Sequence, residues 1–525
     1  MAPCNCWIKR GIGSKLPHPW VDRVTGNLTL LSFLAFYCVL CNIPYWVSTR
    51  VLGFSPLGWF CIEYPIVGLV SFFVPRIVTS LLLIHIVAAD IICGACMTFY
   101  VPVREWLVNI GVAFASATVH PIYALLLLLL VLITAAAAYL FPGKAFTKKQ
   151  RRLAMVFLLV FSAGISGSDI FFIRLTTGHL PATLETLRGT DRLSLSVPRV
   201  TRLARVPILR LKRLWDLNAA LSASEEKGRT SRLPVPSATA AAIRAARIFS
   251  GESNRPLPNL VVTVVESWGL AGDTALQNAM VRPYMQPEVQ SKYEVLQGSV
   301  PFYGATVAGE ARELCGNSIG YYLIRAPAAD LRNCLPQRLA ALGYDRIALH
   351  GMSSLMFDRL VWYRNIGFQE MLFHEQFRKQ GLPDCDSAFL GTCDAGIAAW
   401  IGRRLDADNP HPQYIHWMTL NSHLPVPVPS RLPDAAPCST GDGLEPNTPL
   451  CSWYQLVANV HRSIAQVALG PLDRPTVFVL VGDHAPPFGD LALHDRFSQS
   501  DVPYVVLVPR SELPPPGRNS ADAAP

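Results

Sequence analysis

The sequence predicts an amino-terminal five-helix transmembrane domain followed by a carboxy-terminal α/β domain with a mostly parallel central sheet. Three observations carry that reading. The first ~175 residues are mostly apolar and hold several runs long enough to cross a bilayer, which takes ~20 residues. The second half holds short Val/Ile/Leu-rich runs, as buried parallel strands do, alternating with helical stretches. Four of these runs end on an acid or a histidine: NLVVTVVE on Glu266, YDRIALHG at His350, IHWMTLNSHLP at His423, and PTVFVLVGDH on Asp483 and His484. Open α/β sheets bind ligands at the carboxyl ends of their strands. Packing alone does not account for four metal- or proton-competent positions there, so the sequence reads as a metal-dependent enzyme.

The amino-terminal part follows from charge and hydropathy. Of the 525 residues only 16% are charged, and the net charge of +9 comes from clustered basic residues. Spans are expected at about 27–47, 52–73, 77–99, 119–141 and 153–173. The fourth, IYALLLLLLVLITAAAAYLF, is uninterrupted, whereas Glu63 and Pro65 break the second. Asp90 and Asp169 read as acids that face the bundle or reach a membrane surface, not as lining a path. Lys9, Arg10, Lys15 and Arg23 mark the tail, 1–26, as cytoplasmic, and Lys144, Lys148, Lys149, Arg151 and Arg152 mark the loop before the fifth span. Everything after about 174 is then extracytoplasmic. The expectation is a multi-pass protein of the inner (cytoplasmic) membrane with its catalytic domain on the periplasmic side. No small-residue cleavage site follows the first apolar run, which reads as an anchor.

Six of the thirteen cysteines fall in the second half: Cys315, Cys334, Cys385, Cys393, Cys438 and Cys451. An even number in an exported domain suits disulfides, and sequence-near pairing (315–334, 385–393, 438–451) is expected, although six cysteines allow fifteen connectivities. Their spacings match no common zinc-ligand pattern. The segment 175–258 is arginine-rich, as in VPRVTRLARVPILRLKRLW. It reads either as a basic amphipathic stretch on the outer membrane surface or as a solvated linker. Nucleic acid is excluded as a partner by the compartment. SASEEKGRTSRLPVPSATA and GESNRPLPN read as flexible punctuation. The catalytic domain is expected over 259–511, with helices near 307–315, 368–380 and 451–469, and 512–525 as a disordered tail.

GSVPFYGATVAGEARELCG places Thr306 at the start of a short helix that stops at Gly316. Free N–H groups and the dipole make a helix amino terminus attractive to phosphate. A hydroxyl there is placed to attack phosphorus once a divalent metal lowers its pKa. The alternative is a plain helix cap.

NLVVTVVESWG, the threonine of GATVAGEAREL, HGMSSLMFDR, LNSHLPVP and VGDHAPPFGD stand in the order seen in lipoteichoic acid synthases. The chain also resembles related phosphoglycerol and phosphoethanolamine transferases of the alkaline phosphatase/sulfatase superfamily, whose layout is likewise five spans followed by an extracytoplasmic sulfatase-like domain. The motifs lie between about 259 and 494. The resemblance implies that Glu266, Thr306, Asp483 and His484 hold one divalent ion. Two carboxylates, a hydroxyl and an imidazole suit manganese, favoured here, or zinc, and carry too much nitrogen for calcium. The resemblance further implies head-group and phosphate contacts for His350 and Arg359, and a glycerol contact near Phe357. It gives His423 a phosphate contact with a part in proton transfer, and His494 a hold on substrate or a second metal. An arginine fork suits phosphate oxygens; Arg359 as a structural ion-pair partner and His494 as a surface residue are the alternatives. Glu310 reads as a complement to the helix dipole, and His374, His411, His416 and His461 as structural or surface residues.

The chain departs from sulfatases proper, because no Cys/Ser-x-Pro-x-Arg motif follows the first strand, so sulfate-ester hydrolysis is not expected. Ala485, Pro486 and Pro487 follow Asp483–His484 where many relatives carry glycine, which puts a second metal in doubt. The implied activity moves phosphoglycerol from a phospholipid such as phosphatidylglycerol, through a phospho-threonine, to a cell-envelope glycan or lipid. Transfer of phosphoethanolamine from phosphatidylethanolamine, hydrolysis of a phosphodiester, and a non-catalytic membrane sensor are the alternatives.

Overall fold

The computed structural model describes residues 19–51, 60–99, 103–105, 107–109, 121–140, 146–177, 229–230, 232–250, 256–302, 304, 306–432, 434–488 and 490–512. Most of the arginine-rich stretch, the tail before 19 and the residues after 512 lie outside them.

In the amino-terminal part, helices run Pro19–Cys38, Ile43–Val51, Glu63–Val70, Arg76–Phe99, Pro121–Leu140 and Lys148–Thr177. They pack through an aromatic core in which Phe33 meets Tyr37, Phe72 and Phe146. Gly68 is required by this packing, since a Cβ there would lie 2.9 Å from the Tyr37 ring. Asp90 is buried and accepts a hydrogen bond from the Tyr64 hydroxyl at 3.1 Å, facing the bundle. The side chain of Asp169 lies outside the described residues. Five spans are expected, but among the described residues one stretch, Leu28–Val47, is long and apolar enough to cross a membrane. In the expected second span the described part holds only the eight-residue helix Glu63–Val70.

The carboxy-terminal part is an α/β domain built on a seven-stranded sheet. In chain order the strands are β1 (Asn259–Val265), β2 (Tyr293–Pro301), β3 (Asp345–His350), β4 (Glu370–Leu372), β5 (Asp384–Asp386), β6 (Leu390–Thr392), β7 (Gln413–Met418), β8 (Thr476–Gly482) and β9 (Asp501–Pro509). The large sheet runs β2-β9-β8-β1-β7-β3-β4, and β5-β6 is a separate hairpin. β8, β1, β7, β3 and β4 are parallel, while β9 and β2 add antiparallel at one edge, so the sheet is mixed. The sheet is mostly parallel, as expected, and burial follows position: β1, β7 and β8 are buried throughout, whereas β2 exposes Gln297–Ser299, as an edge can.

Residues before 259 also pack on this sheet. Helix Ala238–Ala245 falls in the expected linker 175–258, starting where the first flexible stretch ends, and its Ala238 and Ala242, with Ala246 and Ile248, are buried in the same core as the sheet. Ser237 caps it by accepting from Ala240 N at 3.1 Å. Glu313 anchors it, accepting from both the backbone N–H (2.9 Å) and the hydroxyl (2.7 Å) of Thr239. Disulfides join Cys315–Cys334, Cys385–Cys393 and Cys438–Cys451, the sequence-near pairing.

Candidate active site

Strand register builds the centre of the site. In the parallel pair β1/β8, Val265 lies opposite Gly482, so the residues that follow, Glu266 and Asp483, leave the sheet side by side. His484 comes with Asp483. Ligand atoms of Glu266, Asp483 and His484 lie within 4.8 Å of one another, and all three residues are buried. His484 Nε2 is 3.5 Å from Glu266 Oε1 and 3.3 Å from Asp483 Oδ2.

The surrounding backbone fixes these groups. Asp483 Oδ1 accepts from the N–H groups of Ser267 (2.8 Å) and His484 (2.7 Å). Glu266 Oε1 accepts from the Ser267 hydroxyl at 2.8 Å, and Glu266 N donates to Thr419 Oγ1 at 2.9 Å. The Ser422 hydroxyl donates to Glu266 O at 2.6 Å. Asp394 accepts from the N–H groups of Leu420 and Asn421, which ties down the loop leading to His423; burial pushes its carboxyl up to about 7. None of these supporting residues was singled out by sequence. Ser267 carried the strongest signal, directly after the strand-ending Glu266.

Thr306 opens helix Thr306–Cys315, as the sequence predicts, and its hydroxyl lies 3.3 Å from Glu266 Oε2. The helix reaches the cluster because residue 309 is glycine: a Cβ there would sit 2.7 Å from Asp483 Cβ and 2.8 Å from its Cα. Buried Arg312 in the same helix donates to Gly482 O at 2.6 Å and pairs with Glu313 at 2.7 Å. Gly309→Ala therefore forces the helix and the Asp483–His484 loop apart. Overpacking of this kind costs about 1–3 kcal/mol, and we expect weaker metal retention than in a half-buried helical control, Gly402→Ala, where a Cβ would meet Val467 only at an ordinary 3.5 Å, by calorimetric titration.

The cluster fits a divalent cation on its own chemistry. Asp483 Oδ2 is buried and has no hydrogen-bond partner. Burial and the adjacent Glu266 push the Asp483 carboxyl up, and the neighbouring His484 offsets them only in part, as expected where two carboxylates converge in a buried site. Burial alone would lower the His484 imidazole, but Asp483 and Glu266 outweigh it and raise it. A mixed oxygen/nitrogen donor set is one that manganese or zinc accepts.

The other expected residues divide. His423 is half-buried, packs edge-on against Phe389 (4.6 Å), and its Nδ1 contacts Leu424 O at 2.6 Å. Burial and the neighbouring His484 lower its pKa to about 4, leaving a neutral ring at pH 7. His350, at the end of β3, has Nδ1 3.0 Å from Met418 O; burial and the charge of Arg359 lower it to about 3. Arg359, expected to contact phosphate or to serve as an ion-pair partner, forms an ion pair in the structure. Its guanidinium is buried and bound to Glu310 Oε2 through Nη2 (2.8 Å) and Nε (3.2 Å). Glu310 is correspondingly no dipole complement. It lies within the domain, accepting also from the Tyr363 hydroxyl, with His416 Nε2 at 3.4 Å. Phe357 lies over Arg359, its ring centroid 5.5 Å from the guanidinium carbon. His494, at the end of the short helix Leu491–His494, is buried, faces Asp495 at 3.3 Å and is not part of the three-residue cluster.

A family model covers most of the α/β domain. The family described as Sulfatase matches residues 300–524, which takes in Thr306, Asp483 and His484 and begins after Glu266. A search of curated proteins gives no match. Among solved structures, the chain is similar to the lipoteichoic acid synthase LtaP from Listeria monocytogenes (15% identity, 52% of this chain and 72% of that one, TM-score 0.35). It is similar also to the phosphoglycerol transferase GacH of Streptococcus pyogenes in complex with sn-glycerol-1-phosphate (15% identity, 54% and 75%, TM-score 0.33). A third is the C-terminal periplasmic domain of EcEptC from Escherichia coli (12% identity, 50% and 75%, TM-score 0.29).

Proposed function

We propose that this chain, whose residues 300–524 are a Sulfatase-family domain, is a membrane-anchored, metal-dependent phosphoglycerol transferase that uses Thr306 as its nucleophile. The observation that carries the reading is the Thr306 hydroxyl at a helix amino terminus, 3.3 Å from Glu266 and beside the Glu266–Asp483–His484 cluster. The motif order and the five-span layout read from the sequence support it.

Glu266, Asp483, His484 and Thr306 would hold one divalent ion, manganese first and zinc second, and that ion would neutralise charge on the phosphoryl oxygens and on Thr306. In the first step the Thr306 Oγ1–phosphorus bond forms and the bond from phosphorus to the diacylglycerol oxygen breaks. The Thr306 proton passes to Glu266 across their 3.3 Å contact, and the departing lipid oxygen takes a proton from water. In the second step an acceptor hydroxyl on a cell-envelope glycan or lipid attacks phosphorus and the Thr306 bond breaks. His423, a neutral imidazole at pH 7, takes the acceptor's proton and passes it to water, and Thr306 recovers its proton from Glu266. His350, Phe357 and His494 border the head group in this reading, with Arg359 behind them as a fixed positive charge. A membrane anchor holds donor and catalyst on one surface, which lowers the entropic cost of their encounter.

The test is diacylglycerol release by the purified full chain in vesicles of phosphatidylglycerol or phosphatidylethanolamine. Phosphatidylglycerol should be consumed with manganese or zinc, and chelation should abolish release. Faster use of phosphatidylethanolamine would move the assignment to phosphoethanolamine transfer. Release that continues unchanged after complete metal removal would refute the metal centre.

A further inference from the structure

The turn ahead of helix Arg359–Ile366 contains two consecutive non-glycine residues in the left-handed region, Phe357 (φ 54°) and Asp358 (φ 50°). Side-chain-bearing residues rarely adopt this conformation, and it persists only where surrounding contacts enforce it. Three contacts hold Phe357. Trp362 Nε1 donates to its carbonyl at 3.0 Å, and its ring lies over Arg359. The third contact comes from 248 residues away: the Phe357 N–H donates to Asn109 Oδ1 at 2.6 Å.

Asn109 is buried, and its own orientation is fixed, because Nδ2 donates to Glu105 O at 2.7 Å and so turns Oδ1 towards Phe357. Residues 103–105 and 107–109 are helical, and positions four apart share a helix face. Glu105, buried on that face, forms an ion pair with Arg325 of the α/β domain. The opposite side of the segment is exposed at Leu107 and Val108. The segment lies between the expected third and fourth spans, in a loop that the charge pattern places on the same side of the membrane as the α/β domain. Two polar contacts from one face therefore meet that domain, one of them at the backbone of a residue beside the substrate-binding candidates.

We infer that Asn109 is a positioning residue: it holds the left-handed Phe357–Asp358 turn, and through that turn the placement of Phe357 and Arg359, with the Glu105–Arg325 pair keeping its helical segment docked. The effect on turnover rests on the proposed transferase reading, whereas the contact itself does not. An apolar residue at 109 leaves the Phe357 N–H without its acceptor. The turn then exchanges between conformations, and the donor head group meets a less ordered pocket.

The test uses the full chain in phosphatidylglycerol nanodiscs and two readouts, hydrogen exchange in peptides covering 352–363 and the kinetics of diacylglycerol release. Asn109→Leu should accelerate exchange at this turn at least tenfold and raise KM for phosphatidylglycerol at least tenfold, with a smaller change in kcat. Arg325→Gln, which undocks the segment without touching Phe357, should shift both in the same direction and serves if Asn109→Leu fails to fold. Leu107→Ala, in the same segment but exposed, should change neither. Unchanged exchange in Asn109→Leu and Arg325→Gln, or faster exchange with an unchanged KM, overturns the inference. If exchange responds as expected while the wild-type chain consumes neither donor lipid, the contact stands and the transferase reading fails.

Discussion

Thr306→Ala should abolish diacylglycerol release, lowering it roughly 10⁴-fold or more, as expected when the nucleophile of a covalent mechanism is removed. The same variant should still bind manganese or zinc, because Glu266, Asp483 and His484 remain clustered without it. Bound metal measured by elemental analysis, beside release rates, separates the two roles. Activity within tenfold of wild type would exclude Thr306 as nucleophile. Thr306→Ser, which keeps the hydroxyl and loses only the methyl group, should retain measurable turnover.

The second large effect concerns stability. Glu310 and Arg359 are both fully enclosed and paired at 2.8 Å. Burial alone would raise the Glu310 carboxyl; Arg359, with His416 and Tyr363, outweighs it and holds it down at about 2. Removing one member of such a pair strands the other charge, which costs about 3–5 kcal/mol, so Glu310→Ala and Arg359→Met should each lower the melting temperature strongly. Replacing both together should cost less than the sum of the two. The pH dependence has a definite sign. A folded-state pKa depressed from 4.5 to about 2 means that the stability from Glu310 is complete above pH 4.5 and is lost as pH falls towards 2. The wild-type melting temperature should therefore fall more steeply over that window than that of Glu310→Gln.

What the sequence made legible was what one continuous run can encode. β1 and β8 are apolar at nearly every position because both faces are covered, so their ends stand out, and Glu266 and Asp483 were found there. Thr306 was found because a helix start has a local signature. Parts that depend on distant partners were not legible. Glu310 and Arg359 are 49 residues apart, and nothing in GATVAGEAREL shows that the glutamate points into the domain. Helix Ala238–Ala245 sits in an arginine-rich segment between turn-rich stretches, which reads as linker, and nothing local shows that its small side chains pack in the core of the sheet. The antiparallel edge formed by β9 and β2 follows from chain reversal, not from composition. Asn109 lay between two expected spans with no motif around it.

The central claim is a covalent phospho-threonine, and the direct measurement is the intact mass of the metal-loaded full chain after exposure to phosphatidylglycerol without an acceptor. The account predicts a gain equal to one phosphoglycerol group, located at Thr306 by peptide mapping and missing in Thr306→Ala. Diacylglycerol release from a chain whose mass never changes, in rapidly quenched samples as well as at steady state, would contradict it.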